Sequence, residues 1–237
     1  IAFWIQNARE LLLELTDIGI PVATEFLDPI SHLYFSDLVS WWAIWARTTE
    51  SQTHRELASW LPCPVGFKNS TEWNIQVALD AILSSNESHT YLGVNESWNI
   101  SIVTSEWNKN THVILRWSNT GPNFTEEYVT KTSEWAKKHG VNDGIMIDVS
   151  HQNSCKDYRR QVEWIESIAL QLQSWNSPII GVMIESNILA GNQSFAPWIT
   201  DASLFEYGKS ITDACVNIVE TEKFLMLLSD ALRNRTV

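Results

Sequence analysis

The chain alternates between short segments rich in β-branched residues and longer segments in which apolar residues recur with helical spacing. Such alternation is typical of parallel βα units, in which each strand is followed by a helix that leads back to the next strand. It therefore predicts an α/β fold. The predicted strands are Val22–Leu27, Ala43–Arg47, Val65–Lys68, His112–Leu115, Ile145–Asp148 and Ile179–Ile184.

The segments between the strands carry helical patterns. Trp164, Ile168 and Leu172, for example, repeat at i, i+4 and i+8. Two short β-rich runs, Tyr91–Val94 and Ile100–Val103, predict a hairpin inserted between units. The predicted helices are Ile5–Leu15, Leu33–Ser40, Ser51–Ser59, Trp73–Leu83, Glu126–His139, Tyr158–Leu172 and Thr221–Arg233.

The number of units limits the architecture. The pattern gives six βα units, whereas a TIM (β/α)8 barrel needs eight. We therefore expect a single incomplete barrel domain over residues 1–237 that starts inside the barrel, with two further units upstream of Ile1.

The composition limits the classes of partner. The chain has a formal net charge of −12, and we expect no nucleic-acid partner because nucleic-acid binding needs a basic face. No run of residues is long and apolar enough to span a membrane. Cys63, Cys155 and Cys215 are too few and too scattered for a disulfide scaffold, which favours a reducing, cytoplasmic location.

Ionisable side chains stand at the carboxyl ends of the predicted strands, where parallel α/β folds place their active sites. They divide into two chemistries. One group suits a small molecule that carries both a phosphate and a carboxylate: Arg47, Lys68 and Arg116. The other group offers nitrogen and oxygen donors for a divalent metal such as Mn, Fe, Co or Zn: His151, Glu185 and Asp213.

A salt bridge at the rim of the fold would explain any one of these residues alone. Six strand ends that carry ionisable groups at one edge of a sheet are harder to explain in that way, because an uncompensated charge cluster is costly. The whole set therefore favours a binding site.

Several of these residues lie in longer motifs that resemble one enzyme family. Residues 45–57, WARTTESQTHREL, resemble the GARTTESQxHREL signature of class I DAHP (3-deoxy-D-arabino-heptulosonate 7-phosphate) synthase. Residues 64–69, PVGFKN, are similar to its PVGFKNG strand, and residues 112–116, HVILR, to its HIILRGG strand. Further similar segments follow in the family's order: Met146–Ser154, Gly181–Ser186, Gly191–Ser194 and Tyr207–Cys215.

The resemblance implies a TIM barrel, a homo-oligomer and the first step of the shikimate pathway of aromatic amino acid biosynthesis. In that step phosphoenolpyruvate condenses with erythrose 4-phosphate. Carried over to this sequence, it implies that Ala46, Arg47, Lys68 and Arg116 bind phosphoenolpyruvate. It also implies that His151, Glu185 and Asp213 bind the metal, with Lys68 and His151 as the catalytic groups.

The chain departs from the family pattern in two respects. The family's metal-binding cysteine and its Lys-Pro-Arg-Thr sugar-phosphate loop lie upstream of the segment that resembles Ile1, so three metal ligands are identified here instead of four. In addition, nine positions that are glycine in the pattern carry large or polar residues. Ser70 and Ser118 are two of them, and the other seven are Trp42, Trp45, Trp60, Trp73, Trp98, Trp107 and Trp117.

These departures leave three interpretations open. The first is an active DAHP synthase. The second is a catalytically impaired barrel that serves as a binding or structural protein. The third is a related phosphoenolpyruvate aldolase that acts on another sugar, which the Arg47–Glu50 motif disfavours.

Overall fold

A computed structural model describes residues 2–70, 74–95, 97–117, 121–195 and 201–235. Numbered along the chain, the strands are β1 Ala23–Glu25, β2 Trp41–Ile44, β3 Val65–Lys68, β4 Thr90–Val94, β5 Ile100–Thr104, β6 Thr111–Leu115, β7 Ile145–Asp148, β8 Ile179–Met183, β9 Ser186–Asn187 and β10 Val216–Asn217. The helices are α1 Ala2–Asp17, α2 His32–Phe35, α3 Gln52–Trp60, α4 Ile75–Ser85, α5 Glu126–Lys138, α6 Gln161–Leu172 and α7 Ile218–Arg233.

The chain forms two compact units. The first comprises Ile1–Ile114 with Glu134–Asp143, and the second comprises Leu115–Ser133 with Gly144–Val237. Helix α5 contributes residues to both. Six strands, β1, β2, β3, β6, β7 and β8, make parallel pairings within these units. The prediction of an α/β fold with six βα units is thereby confirmed.

In the first unit, β2 pairs with β1 and β3, and β3 pairs with β6, all in parallel. The centre of this sheet is buried on both faces, as expected for a covered parallel sheet. Val65, Phe67 and Val113 are fully buried, and no residue of β3 or β6 is exposed. Strands β4 and β5 form the predicted antiparallel hairpin.

In the second unit, β7 pairs in parallel with β8, and the short β9 with β10. Helix α6 buries Ile168 and Leu172 of the stripe that its spacing predicts, while Trp164 is half-buried and the neighbouring Ile165 is buried. Helix α7 begins with a capping box, in which the Asn217 side chain accepts from the backbone N–H of Glu220 and the Glu220 side chain accepts from that of Asn217.

Several predicted boundaries were wrong, and hydrogen bonds explain the one that bears on the site. Strand β2 ends at Ile44, because the Trp45 carbonyl accepts from the N–H groups of Thr48 and Thr49 at 3.0 and 2.9 Å and closes a turn. Arg47 therefore lies in a turn and not at a strand end. Helix α2 also ends early, at Phe35. The predicted start of α4 at Trp73 falls outside the described residues, which have Asn74 capping Gln76 N at 2.9 Å.

No helix in the described part of the chain is both long and apolar enough to cross a bilayer. The expectation of one domain over residues 1–237 stays a prediction.

Asn108 ties the first unit together just before β6. Its buried Nδ2 donates to the carbonyls of Ala58, Leu61 and Cys63 at 3.0, 3.1 and 2.9 Å, and its Oδ1 accepts from Asn110 N at 3.0 Å. These bonds join the end of α3 to the segment that leads into β6.

We expect Asn108→Ala to lower the free energy of unfolding by about 2–3 kcal/mol, since it leaves buried carbonyl groups without their donor. Urea denaturation followed by circular dichroism measures the change. The control is Asn7→Ala on the exposed helix α1, for which a change within about 0.5 kcal/mol is expected. Equal effects of the two substitutions would contradict the structural role of Asn108.

Candidate functional site

Three side chains of the second unit converge as a candidate metal site. One ligand atom each from His151, Glu185 and Asp213 lies within 4.8 Å of the other two. His151 and Glu185 are half-buried, whereas Asp213 is exposed. These three residues are 34 and 28 positions apart along the sequence, and the structure brings them together.

The end of β7 fixes the imidazole of His151. Nδ1 lies 2.9 Å from Ser150 Oγ and 2.8 Å from Asp148 Oδ2, while Ser150 Oγ donates to Asp148 Oδ1 at 2.5 Å. Both neighbours of Nδ1 can accept a hydrogen bond from it, an arrangement that favours the tautomer with the proton on Nδ1 and Nε2 as the ligand atom. Nε2 lies 3.3 Å from Glu185 Oε1. A carboxylate behind a histidine is the usual support for a metal-binding imidazole.

The backbone at His151 is unusual. Its φ is +49°, in the left-handed region that non-glycine residues seldom occupy. Such a conformation costs about 1–3 kcal/mol and persists where neighbouring contacts hold it. Here the carbonyl of His151 accepts from Lys156 N at 2.8 Å and from Ser154 Oγ at 2.9 Å. The loop after β7 is therefore built to present the imidazole.

The side chain of Gln161, at the start of α6, holds the backbone of Glu185 in place. The fully buried side chain donates to the Glu185 carbonyl at 3.2 Å and accepts from Glu185 N at 3.1 Å. Val216 N also donates to the Glu185 carbonyl, at 3.0 Å. These contacts fix the backbone that carries the Glu185 carboxylate.

The cysteines do not join this site. The candidate metal group among the described residues contains no thiol. Cys215, close in sequence to Asp213, is buried, and burial raises the pKa of its thiol, with the carboxylates of Glu185 and Asp213 adding to the effect. Burial likewise raises the pKa of the Cys63 thiol to about 11. A thiol must lose its proton to bind a metal, so neither is prepared as a ligand.

Lys68 and Arg47 belong to the first unit. Lys68, at the end of β3, is buried, and its Nζ forms an ion pair with Glu25 Oε1 at 2.9 Å. Arg47 is exposed, and its guanidinium carbon lies 5.2 Å from the centre of the Trp45 ring, a cation–π contact. Ala46, which lies between Trp45 and Arg47 in the sequence, is buried. Thr49 Oγ1 donates to the Lys68 carbonyl at 2.7 Å and so joins the Arg47 turn to β3.

Arg116 belongs to the second unit. Its Nη2 donates to Gln152 Oε1 at 2.5 Å. The neighbouring Asn153 is fully buried and donates to the carbonyls of Leu115 and Asp148 at 3.3 and 2.7 Å. The loop that carries His151 thus also holds the segment from which Arg116 projects.

Sequence reasoning named the ligands and cations but missed the residues that hold them. The sequence assigned no role in holding them to five residues: Gln161, Ser150, Gln152, Asp148 and Glu25. The signal was present for Asp148 and Ser150, since they stand in the same motif as His151. Nothing in the pattern marked Gln161, because a buried glutamine on an otherwise apolar helix stripe is visible only in the folded chain.

Comparison with known proteins agrees with the motifs. The profile of the DAHP synthetase I family matches residues 5–226. The chain is 44% identical over 231 residues to the Phe-sensitive phospho-2-dehydro-3-deoxyheptonate aldolase of Escherichia coli K12, covering 98% of this chain and 65% of that protein. It is 45% identical over 233 residues to the tyrosine-inhibited enzyme of Schizosaccharomyces pombe, covering 98% and 62%. The chain thus spans slightly less than two thirds of the length of these relatives.

A solved structure gives the same result. The phospho-2-dehydro-3-deoxyheptonate aldolase of Francisella tularensis SCHU S4 superposes with a TM-score of 0.92 at 45% identity, covering 98% of this chain and 67% of that one. Sequence profile, curated relatives and fold agree along nearly the whole chain. The chain belongs to the DAHP synthetase I family.

Proposed function

We propose that this protein catalyses the aldol-type condensation of phosphoenolpyruvate with erythrose 4-phosphate to give DAHP and phosphate. The observation that carries the proposal is the convergence of His151, Glu185 and Asp213 within 4.8 Å, in a chain that belongs to this family along 98% of its length. In a barrel that no longer had to catalyse a reaction, selection would not keep three ligands from distant parts of the sequence close together.

The donor set fits a divalent metal. One imidazole nitrogen and two carboxylates suit Mn, Fe, Co or Zn, and Asp148 and Ser150 hold the imidazole in the tautomer that metal binding requires. Three protein ligands with an open position are typical of catalytic metals. A metal bound there would supply Lewis-acid polarisation of the aldehyde oxygen of erythrose 4-phosphate.

The cations are assigned to phosphoenolpyruvate. Arginine offers a planar fork for carboxylate or phosphate, and lysine offers a compact charge. We therefore assign Arg47, Lys68 and Arg116, with the Ala46 backbone, to this substrate. Glu25 supplies a counter-charge to the buried Lys68 ammonium, which would be costly without one. We assign Lys68 and His151 as the catalytic groups.

The finer expectations remain part of the proposal. A cytoplasmic location is supported by three cysteines that are all free thiols in the structure. A homo-oligomer is supported by apolar side chains left exposed on α7, among them Val219, Leu225 and Met226. Sedimentation analysis of the full-length protein tests the second expectation.

The activity itself is tested with the full-length protein, Mn²⁺ and both substrates. We expect phosphate and DAHP to form in equal amounts, and chelation of the metal to stop both. Phosphate release from phosphoenolpyruvate without erythrose 4-phosphate would indicate a different reaction. Turnover with another aldehyde but none with erythrose 4-phosphate would favour the aldolase alternative.

We expect Glu185→Gln to remove most of the metal binding, since it replaces one of the charged oxygen donors with a weaker neutral amide. Calorimetric titration of chelator-treated protein with Mn²⁺ measures the loss, which should be at least about tenfold in Kd, or about 1.4 kcal/mol. Glu166→Gln, on the exposed face of α6, is the matched control and should bind as the unchanged chain does. Unchanged affinity of the Glu185 variant would refute its role as a ligand.

The tryptophans beside the cations should weaken substrate binding. The Trp45 ring lies against the Arg47 guanidinium, and Trp117 directly follows Arg116. We expect a Trp45→Gly, Trp117→Gly double variant to bind phosphoenolpyruvate about tenfold more tightly or better, since a cation–π contact of about 0.5–2 kcal/mol no longer competes and two indoles no longer fill the space.

The matched control is Trp107→Gly, which removes an indole that is 55% exposed and whose ring faces Lys109. It should leave the affinity for phosphoenolpyruvate unchanged. Calorimetry that gives equal affinities for the double variant and the unchanged chain would show that Trp45 and Trp117 are harmless.

A further inference from the structure

Tryptophan and glycine occur in unusual numbers. The chain has 13 tryptophans and nine glycines in 237 residues, whereas average usage would give about 17 glycines, at about 7% of residues. Tryptophan is not among the common residues of globular proteins. The deficit of one residue and the excess of the other occur together, and seven of the tryptophans stand where the motif pattern has glycine.

Trp98 has the backbone of a glycine. It lies in the loop of the β4–β5 hairpin with φ +61°, and its N–H donates to the Asn95 carbonyl at 2.8 Å. A left-handed residue in such a loop is usually glycine, and a bulky residue there is an outlier. The indole is 47% exposed. The ring packs on Tyr34 with centroids 4.4 Å apart, but the backbone conformation of this position suits glycine.

Two further tryptophans of the set fit their surroundings imperfectly, whereas Trp42 is buried and packs on Phe26 with ring centroids 4.9 Å apart. Trp107 is 55% exposed, although tryptophan is on average a strongly buried residue. The Trp45 Nε1 is buried and has no hydrogen-bond partner within the described structure. Trp41, which is outside the set, is the contrast, since its Nε1 donates to His112 Nε2 at 3.2 Å and its ring stacks on the imidazole with centroids 5.8 Å apart. Trp41 thus has a hydrogen-bond acceptor for its ring N–H and a stacking partner for its ring.

Loss of constraint does not explain this pattern. Glycines that the fold needs are retained, such as Gly208, which has φ +77° and where an added Cβ would lie 2.7 Å from Ile188 Cβ. Single-base changes in glycine codons lead mainly to serine, alanine, valine, aspartate, glutamate, arginine and cysteine, and to tryptophan only from GGG. Seven changes to tryptophan against two to serine, at Ser70 and Ser118, therefore indicate a single cause.

We propose that the codons for Trp42, Trp45, Trp60, Trp73, Trp98, Trp107 and Trp117 are UGA, and that the cell decodes UGA as glycine. UGA differs from the glycine codon GGA by one base, and its meaning varies among genetic codes, in which it stands for stop, tryptophan or glycine. The polypeptide that the cell makes then has glycine at these seven positions. The Arg47 guanidinium is released from the indole at position 45, and the backbone at positions 45 and 117 is open to a ligand.

The test compares codons with residues in one peptide. The gene is sequenced, and the protein is isolated from cells that carry it and cleaved after acidic residues. This releases Leu38–Glu50, which contains Trp41, Trp42 and Trp45. We expect UGG at codon 41 and UGA at codons 42 and 45. Tandem mass spectrometry should give tryptophan at position 41 and glycine at positions 42 and 45.

A second peptide supplies a further control. The tryptic fragment Glu56–Lys68 contains Trp60 and Gly66, so one spectrum compares a recoded position with an ordinary glycine. UGG at codons 42, 45 or 60, or tryptophan at any of these positions in the peptides, would overturn the proposal. The result is independent of turnover: an inactive protein with glycine at position 45 would overturn the proposed function alone.

Discussion

The buried carboxylate of Asp148 is the group on which the candidate metal site depends. It ends β7 with no solvent exposure and accepts from both the N–H and the hydroxyl of Ser150, at 3.0 and 2.5 Å, while its second oxygen lies 2.8 Å from His151 Nδ1. A buried carboxylate is costly unless donors surround it. The loop after β7 supplies these donors, and in doing so it takes the left-handed turn at His151 that directs Nε2 outward.

The same loop connects the site to the rest of the second unit. Asn153 binds the Asp148 and Leu115 carbonyls and Gln152 accepts from Arg116, so the loop that presents a metal ligand also holds a substrate-binding candidate. Across the site, Gln161 fixes the backbone of Glu185 from α6. His151 and Glu185 are held by polar groups that cannot move without leaving a buried donor or acceptor unpaired, and this rigidity is what a catalytic site requires.

Much of this arrangement could be predicted from the sequence, because the carboxyl ends of parallel strands share one edge of a sheet. That rule identified His151 and Glu185, whereas Asp213 follows no predicted strand and precedes β10 in the structure. The rule failed for Arg47, since the pattern extended β2 to Arg47, whereas hydrogen bonds from Thr48 and Thr49 to the Trp45 carbonyl close a turn there. The spacing of apolar residues indicates which side chains are buried. It does not indicate where a backbone carbonyl stops pairing with the neighbouring strand, and so where the strand ends. Gln161 was missed for a related reason, since its role lies in the backbone groups of another segment.

The tryptophans at family glycine positions also show that apolar patterns describe side chains and not the backbone. Apolar patterns treat an indole as a good core residue, so Trp42 and Trp60 do not disturb the prediction of strands and helices. The conflict appears only where the backbone has a task that a side chain obstructs, as at the left-handed hairpin position of Trp98 and beside the cation at Trp45. In a site formed by loop backbones, tryptophan in place of glycine therefore conflicts with the backbone conformation or with the access of a ligand. The buried sheet that carries the loops tolerates the same replacement. This explains why the fold agrees so closely with its relatives even though the edge of the proposed site departs from their motifs.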